Sequence, residues 1–182
     1  MGDTVLTLHQ IEDIFFNETC KMLNLDPTLP ENQGKVRLVW NSDGQPGWSV
    51  DEDIVFLRIT PQDDKIARPQ DILYNTNASD YALKEVGYTR VHKVDWTLYG
   101  PNSYDNADLI RYKVLSKDYL EDFRKSNLFL ITDVTMPVRL PELFNGQWWE
   151  RTDFSASYNE LVVRRSQLPY ILGTDIRLIT SR

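Results

Sequence analysis

The side chains that could do chemistry in this chain are few, and their spacing argues against catalysis. A Ser–His–Asp arrangement needs a base, and only two histidines are present, His9 and His92. His9 falls in the first turn of a predicted helix. His92 belongs to the inward row of a predicted strand, where a histidine reads as a hydrogen-bonded core residue. Cys20, on the first predicted helix with no histidine near it in sequence, reads as a small buried apolar group. Asp51-Glu52-Asp53 and Asp63-Asp64 flank a predicted strand and offer oxygen ligands of the kind a hard cation uses. Neither follows EF-hand spacing, and no HExxH, CxxC or phosphate-cradling glycine loop occurs. Glu150 and Asp153 beside Trp148 and Trp149 have the composition of a glycosidase site. Residues three apart on one strand face opposite sides, however, and do not flank one bond. The expectation is no enzyme, no metal and no cofactor.

What remains is aromatic richness, 12% of the chain. Tyr and Trp are favoured at interfaces because one end of each is apolar and the other tolerates water. The densest stretch is 141–165, PELFNGQWWERTDFSASYNELVVRR. Asn145-Gly146 supplies the positive-φ positions of a tight turn. Trp148 and Trp149 on an extended chain point to opposite faces, so one enters the core and the other needs a lid or a partner chain. Phe144, Trp148, Trp149 and Arg151 are therefore the candidate interface residues. A carbohydrate-binding module would use such tryptophans too.

Charge narrows the partners. The formal net charge is −7, and residues 1–85 hold 15 acidic and 7 basic side chains, whereas residues 86–182 hold 12 and 13. Phosphate binding needs clustered Lys and Arg, so the first half is no nucleic-acid groove. Asp51, Glu52, Asp53, Asp63 and Asp64 are candidates for an acidic surface that repels DNA or meets a basic partner. No apolar run approaches the ~18 residues that cross a bilayer, so no membrane role is expected. A lone cysteine leaves no internal disulfide and suits a reducing cytosol.

The elements that must position these residues follow from periodicity. Thr7-Leu8-His9-Gln10 is a capping box that predicts a helix from Thr7 to about Asn24. Lys35–Trp40, Asp53–Thr60 and Val91–Tyr99 read as strands, the second apolar on both faces and the third with His92, Val94, Trp96 and Leu98 inward. The polar 61–87 stretch reads as an unusually long loop with a helical turn at 80–86. A helical region capped by Ser103 or Asp105 breaks near Ser116 and stops at Asn127. Strands are predicted at Leu128–Val134, Trp149–Arg165 and Asp175–Thr180. In the long one, Thr152, Phe154, Ala156, Tyr158 and Val162 share one side. The order gives one α+β domain over 1–182, a mixed, mostly antiparallel sheet flanked by helices.

Two segments carry a resemblance. GYTRVHKVDWTLYGPNSYDNADLIR (87–111) and PELFNGQWWERTDFSASYNE (141–160) resemble the neck or tail-terminator family of tailed bacteriophages, and the similarity extends over about 53–179. The resemblance implies a structural virion protein without catalytic activity, assembled in the host cytoplasm. It implies a homohexameric ring that caps the tail tube and joins it to the head connector or stopper. DNA would pass the central channel without specific binding. A head-completion adaptor or another tail component is the alternative within the virion.

Overall fold

Helix α1, Leu8–Met22, begins where the capping box predicts. Thr7 Oγ1 accepts from the Gln10 amide at 3.2 Å, and the Gln10 side chain accepts from the Thr7 amide at 2.8 Å. The helix lays Ile11, Phe15 and Met22 on the sheet. The computed structural model describes residues 2–39, 47–65, 67–76 and 81–169. Within them lie β1 (Val36–Leu38), β2 (Ile54–Gln62), β3 (Gln70–Asn75) and β4 (Tyr81–Tyr99). Then come α2 (Ser103–Val114), α3 (Lys117–Lys125), β5 (Leu128–Ile131), β6 (Val138–Arg139), β7 (Glu142–Phe144), β8 (Gln147–Trp149) and β9 (Arg151–Pro169). The fold is α+β with a mixed, mostly antiparallel sheet, as expected.

The main sheet runs β1-β2-β4-β9-β5, with β3 added to β4 and β6 to β9. Among the described strands only β1 and β2 pair in parallel. Helices α1, α2 and α3 contribute to one core. Phe15 meets Tyr158 at 4.8 Å between ring centroids, and Trp96 stacks on Phe154 at 4.8 Å. The Trp96 indole donates to Thr19 Oγ1 at 3.1 Å, which satisfies its polar end inside the core. The inward rows read from sequence hold: His92, Val94, Trp96 and Leu98 are buried, as are Thr152, Phe154, Ala156, Tyr158 and Val162. In β2 only one side is fully buried, with Val55, Leu57 and Ile59, while Arg58 on the other is exposed.

Several expectations are corrected. The 61–87 stretch is no long loop, and 81–86 is no helical turn: it contains β3 and the first part of β4. Its strands escaped periodicity because neither face there is buried, so no alternation is imposed on the side chains. The strand expected over 91–99 is the second half of β4, whose first half is held by pairing with β3 and β9 rather than by local pattern. The strand expected from Trp149 to Arg165 starts at Arg151 and runs on to Pro169, and Trp149 ends the separate β7–β8 hairpin. The strand expected over 35–40 spans only Val36–Leu38, and that at 128–134 ends at Ile131. The break at Ser116 holds, whereas α2 is preceded by Asn102 rather than capped by Ser103 or Asp105. The expected strand at 175–180 lies outside the described residues.

One polar cluster is embedded between β4 and β9. Glu160, 1% exposed, stands opposite Arg90 in the ladder. Its carboxylate takes 2.8 Å bonds from Arg90 Nε and Nη2, lies 2.9 Å from His92 Nε2, and accepts the Leu6 amide at 3.0 Å. Arg90 also donates to the Leu6 carbonyl at 2.7 Å, so the cluster ties the segment before α1 to the sheet. Burial pushes the Glu160 pKa up, but the bonds from His92, Leu6 and Arg90 together outweigh it and leave the carboxyl below its ordinary value of 4.5. A folded-state pKa below the unfolded one contributes stability that is present above pH 4.5 and lost as pH falls through the folded value. Urea-unfolding midpoints are therefore predicted to fall more steeply below pH 4.5 in the native protein than in Glu160→Gln.

Candidate interaction surface

Among the described residues no helix lies over the second face of the sheet, and its surface is built by aromatic residues. Trp48, in the segment before β2, packs on Phe56 at 5.2 Å and on Tyr99 at 5.7 Å. Trp149 meets Trp48 edge-on at 5.9 Å, and Phe144 meets Trp149 at 6.3 Å. The Arg37 guanidinium lies over the Trp48 ring at 5.4 Å. This cluster is the base on which the β7–β8 hairpin stands.

The hairpin turn is made as its sequence requires. Asn145 and Gly146 take φ of 54° and 78°, the two left-handed positions of a two-residue turn. Below the turn, Glu142 faces Trp149 and Leu143 faces Trp148. Trp149 turns inward, half-buried in the cluster. Trp148 turns outward with Leu143, and they are 65% and 60% exposed. Phe144 is 63% exposed at the rim. The opposite orientation of the two tryptophans is what an extended chain dictates.

Arg151 anchors rather than displays. It grips Asp153 with Nε to Oδ1 at 2.9 Å and Nη2 to Oδ2 at 2.6 Å, and its Nη1 pairs with Glu142. The bond to Asp153 first, then that to Glu142, raises the guanidinium pKa further. Tyr99 donates to Glu142 Oε1 at 2.7 Å. Burial, then this bond, pushes the Tyr99 hydroxyl up to about 12, while Arg151 and Tyr99 hold the Glu142 carboxyl low. The three groups weld the foot of the hairpin to β4 and β9.

Exposed apolar side chains continue from the hairpin along the strap that carries β6. Met136, Val138 and Leu140 are all exposed. A groove of about 640 Å³ runs between them and the sheet, and a smaller cavity of about 400 Å³ lies under the hairpin. Trp48 and Tyr99 line both, so the groove and cavity share one aromatic wall. Exposed apolar side chains gathered in this way are uncommon on a monomeric protein. Leu143 and the strap residues were missed in the sequence because they sit in pieces too short to show a period.

The acidic candidates are not brought together. Asp51, Glu52 and Asp53 precede β2 and Asp63 and Asp64 follow it, roughly 30 Å apart at the rise of a strand. Asp53 accepts the Asn102 backbone amide at 2.9 Å and its side-chain amide at 2.8 Å, which holds the turn from β4 into α2. At Gly100 in that turn, φ is 109°, and a Cβ would lie 2.5 Å from Asp53 Oδ1, so only glycine fits. Glu52 accepts the Ser49 amide at 3.0 Å, and Asp63 pairs with Arg68 at 2.6 Å. Among the described residues, no group of three or more His, Cys, Asp or Glu side chains is placed to hold a metal ion.

The family model described as phage neck terminator protein matches residues 10–180 of the chain. No curated protein matches it.

The two tryptophans are predicted to fail differently. Trp149→Ala should cost about 2–3 kcal/mol in urea unfolding, less than the roughly 3–5 kcal/mol of a fully buried ring. Trp148→Ala should stay within about 0.5 kcal/mol of the native protein and weaken attachment to other virion components in a pull-down. Equal losses of stability, with attachment intact, would contradict the division.

Proposed function

Because this chain belongs to the phage neck terminator protein family, a family of structural virion proteins of the neck, we propose that it is a ring subunit. The ring, a homohexamer assembled in the host cytoplasm, caps the tail tube and joins it to the head connector or stopper. The observation that carries the reading is the exposed apolar pair Leu143 and Trp148 on the outward side of the hairpin, with Phe144 exposed at its rim and Met136, Val138 and Leu140 exposed along the strap. It stands on a foot of ion pairs and of tilted and edge-on rings, so its shape is set before a partner arrives. Preorganised surfaces of this kind lose little conformational entropy on binding. Trp148 and Phe144 are the anchors, Trp149 their support, and Arg151 the clamp.

A ring also leaves a channel for DNA. The net charge of −7 keeps a channel wall from gripping phosphate. Asp51 and Glu52 at one end of β2 and Asp64 at the other are proposed to contribute acidic rims rather than one acidic wall. Asp53 is left out of that role because its carboxylate is used by Asn102, and Asp63 because Arg68 offsets its charge.

Electron microscopy of the purified protein, alone and with tail tubes, tests the reading. Rings with an axial hole seated on tube ends are the expected result. Particles that neither close into rings nor associate with tubes would overturn it.

A further inference from the structure

Beyond the core, β4 and β9 run on together as an arm, with β3 beside β4. Among the described residues no other strand pairs with β3, and all six of its residues are exposed. The ladder shows which backbone groups stay open. Val163 uses both its N–H and its C=O on Thr4, at 3.0 and 2.8 Å, so it makes neither bond with Gly87 opposite it. Gly87 therefore turns its groups toward Asp71 on β3. By alternation, the N–H and C=O groups of Gln70, Ile72 and Tyr74 face outward, and among the described residues nothing takes them.

Natural edge strands are guarded by lysine, proline or a bulge. This one, QDILYN, has a single charge, Asp71, and presents Ile72, Leu73 and Tyr74 at 46%, 66% and 59% exposure. The arm has a second open edge. On β9, Arg165 gives its outward amide to Asp3 Oδ1 at 2.8 Å, and beyond it the outward groups of Gln167 are unclaimed among the described residues. Residues 166–169 are all exposed. Ile72, Tyr74 and Leu168 lie on one face of the arm, because their ladder partners Val86, Lys84 and Ala82 alternate together along β4.

We propose that the arm is the contact between copies: the outer edge of β3 in one copy pairs with the Ser166–Pro169 end of β9 in the next. The inference rests on the ring reading above and names the surface that would build the ring. Two unlike edges on one subunit meet head to tail and can close a ring, whereas β3 against β3 would stop at two copies. Pro169 has no N–H to give, so it joins the pairing through its carbonyl alone and ends the ladder there. The pairing covers Ile72 and Tyr74 of one copy with Leu168 of its neighbour.

Disulfide trapping tests this with little background, since the single native cysteine, Cys20, is 3% exposed. Two double variants, Ile72→Cys/Leu168→Cys and Tyr74→Cys/Leu168→Cys, cover neighbouring registers. Both should keep the native Tm when reduced. On oxidation, at least one should give a covalent ladder extending to the full ring, and Ile72→Cys or Tyr74→Cys alone should give none. Rings seen by microscopy without a ladder from either pair would overturn the edge contact and leave the ring reading standing. Covalent dimers from a single β3 variant would show that β3 pairs with itself and overturn the head-to-tail contact. A native protein that forms no rings even with tubes present, together with no ladder from either double variant, would remove both readings.

Discussion

Nineteen residues of β4 lie against nineteen of β9 in one unbroken antiparallel ladder, and the rest of the molecule depends on its register. Side chains alternate strictly across a strand, so one choice of pairing decides every face at once, and a slip of one residue would invert them all. In the observed register Trp96 meets Phe154 and Val94 meets Ala156 on the helix side. The same register puts Asp95, Thr97 and Tyr99 on the uncovered side with Arg151, Asp153 and Ser155. Glu160 reinforces it, because its carboxylate is satisfied only when Arg90 stands opposite and His92 lies two residues on. A displaced ladder would bury that charge unpaired, at a cost of several kcal/mol.

The ladder also explains how a small hairpin holds a large apolar surface in water. The chain leaves the uncovered face through the strap that carries β6 and returns through β7 and β8 directly into β9. Arg151, the first residue of β9, is fixed to Asp153 and Glu142, and Glu142 is fixed to Tyr99 at the end of β4. The hairpin thus inherits the rigidity of the longest element in the fold.

Much of this was legible in the sequence where a face is buried. The rows of His92–Leu98 and Thr152–Val162, the capping box at Thr7, the break at Ser116 and the Asn145-Gly146 turn all follow from local chemistry. Glu160 was not read, although it continues the inward row two residues after Tyr158, because a carboxylate there is an interruption until Arg90 is placed opposite. The arm was not legible. β3 and the first half of β4 bury neither face, so their residues follow no period, and the pairing that holds them is between segments far apart in sequence. The acidic runs misled in another way, because Asp53 looks like its neighbours and only the fold shows it holding Asn102.

The central claim is that the outward side of the β7–β8 hairpin is covered in the assembled neck. Hydroxyl-radical footprinting of the free protein and of intact virions measures this directly. The account predicts strong labelling of Trp148 and Leu143 in the free protein and marked protection in the virion, while Tyr112 on α2, 70% exposed, labels alike in both. Equal labelling of Trp148 in the two states would contradict it.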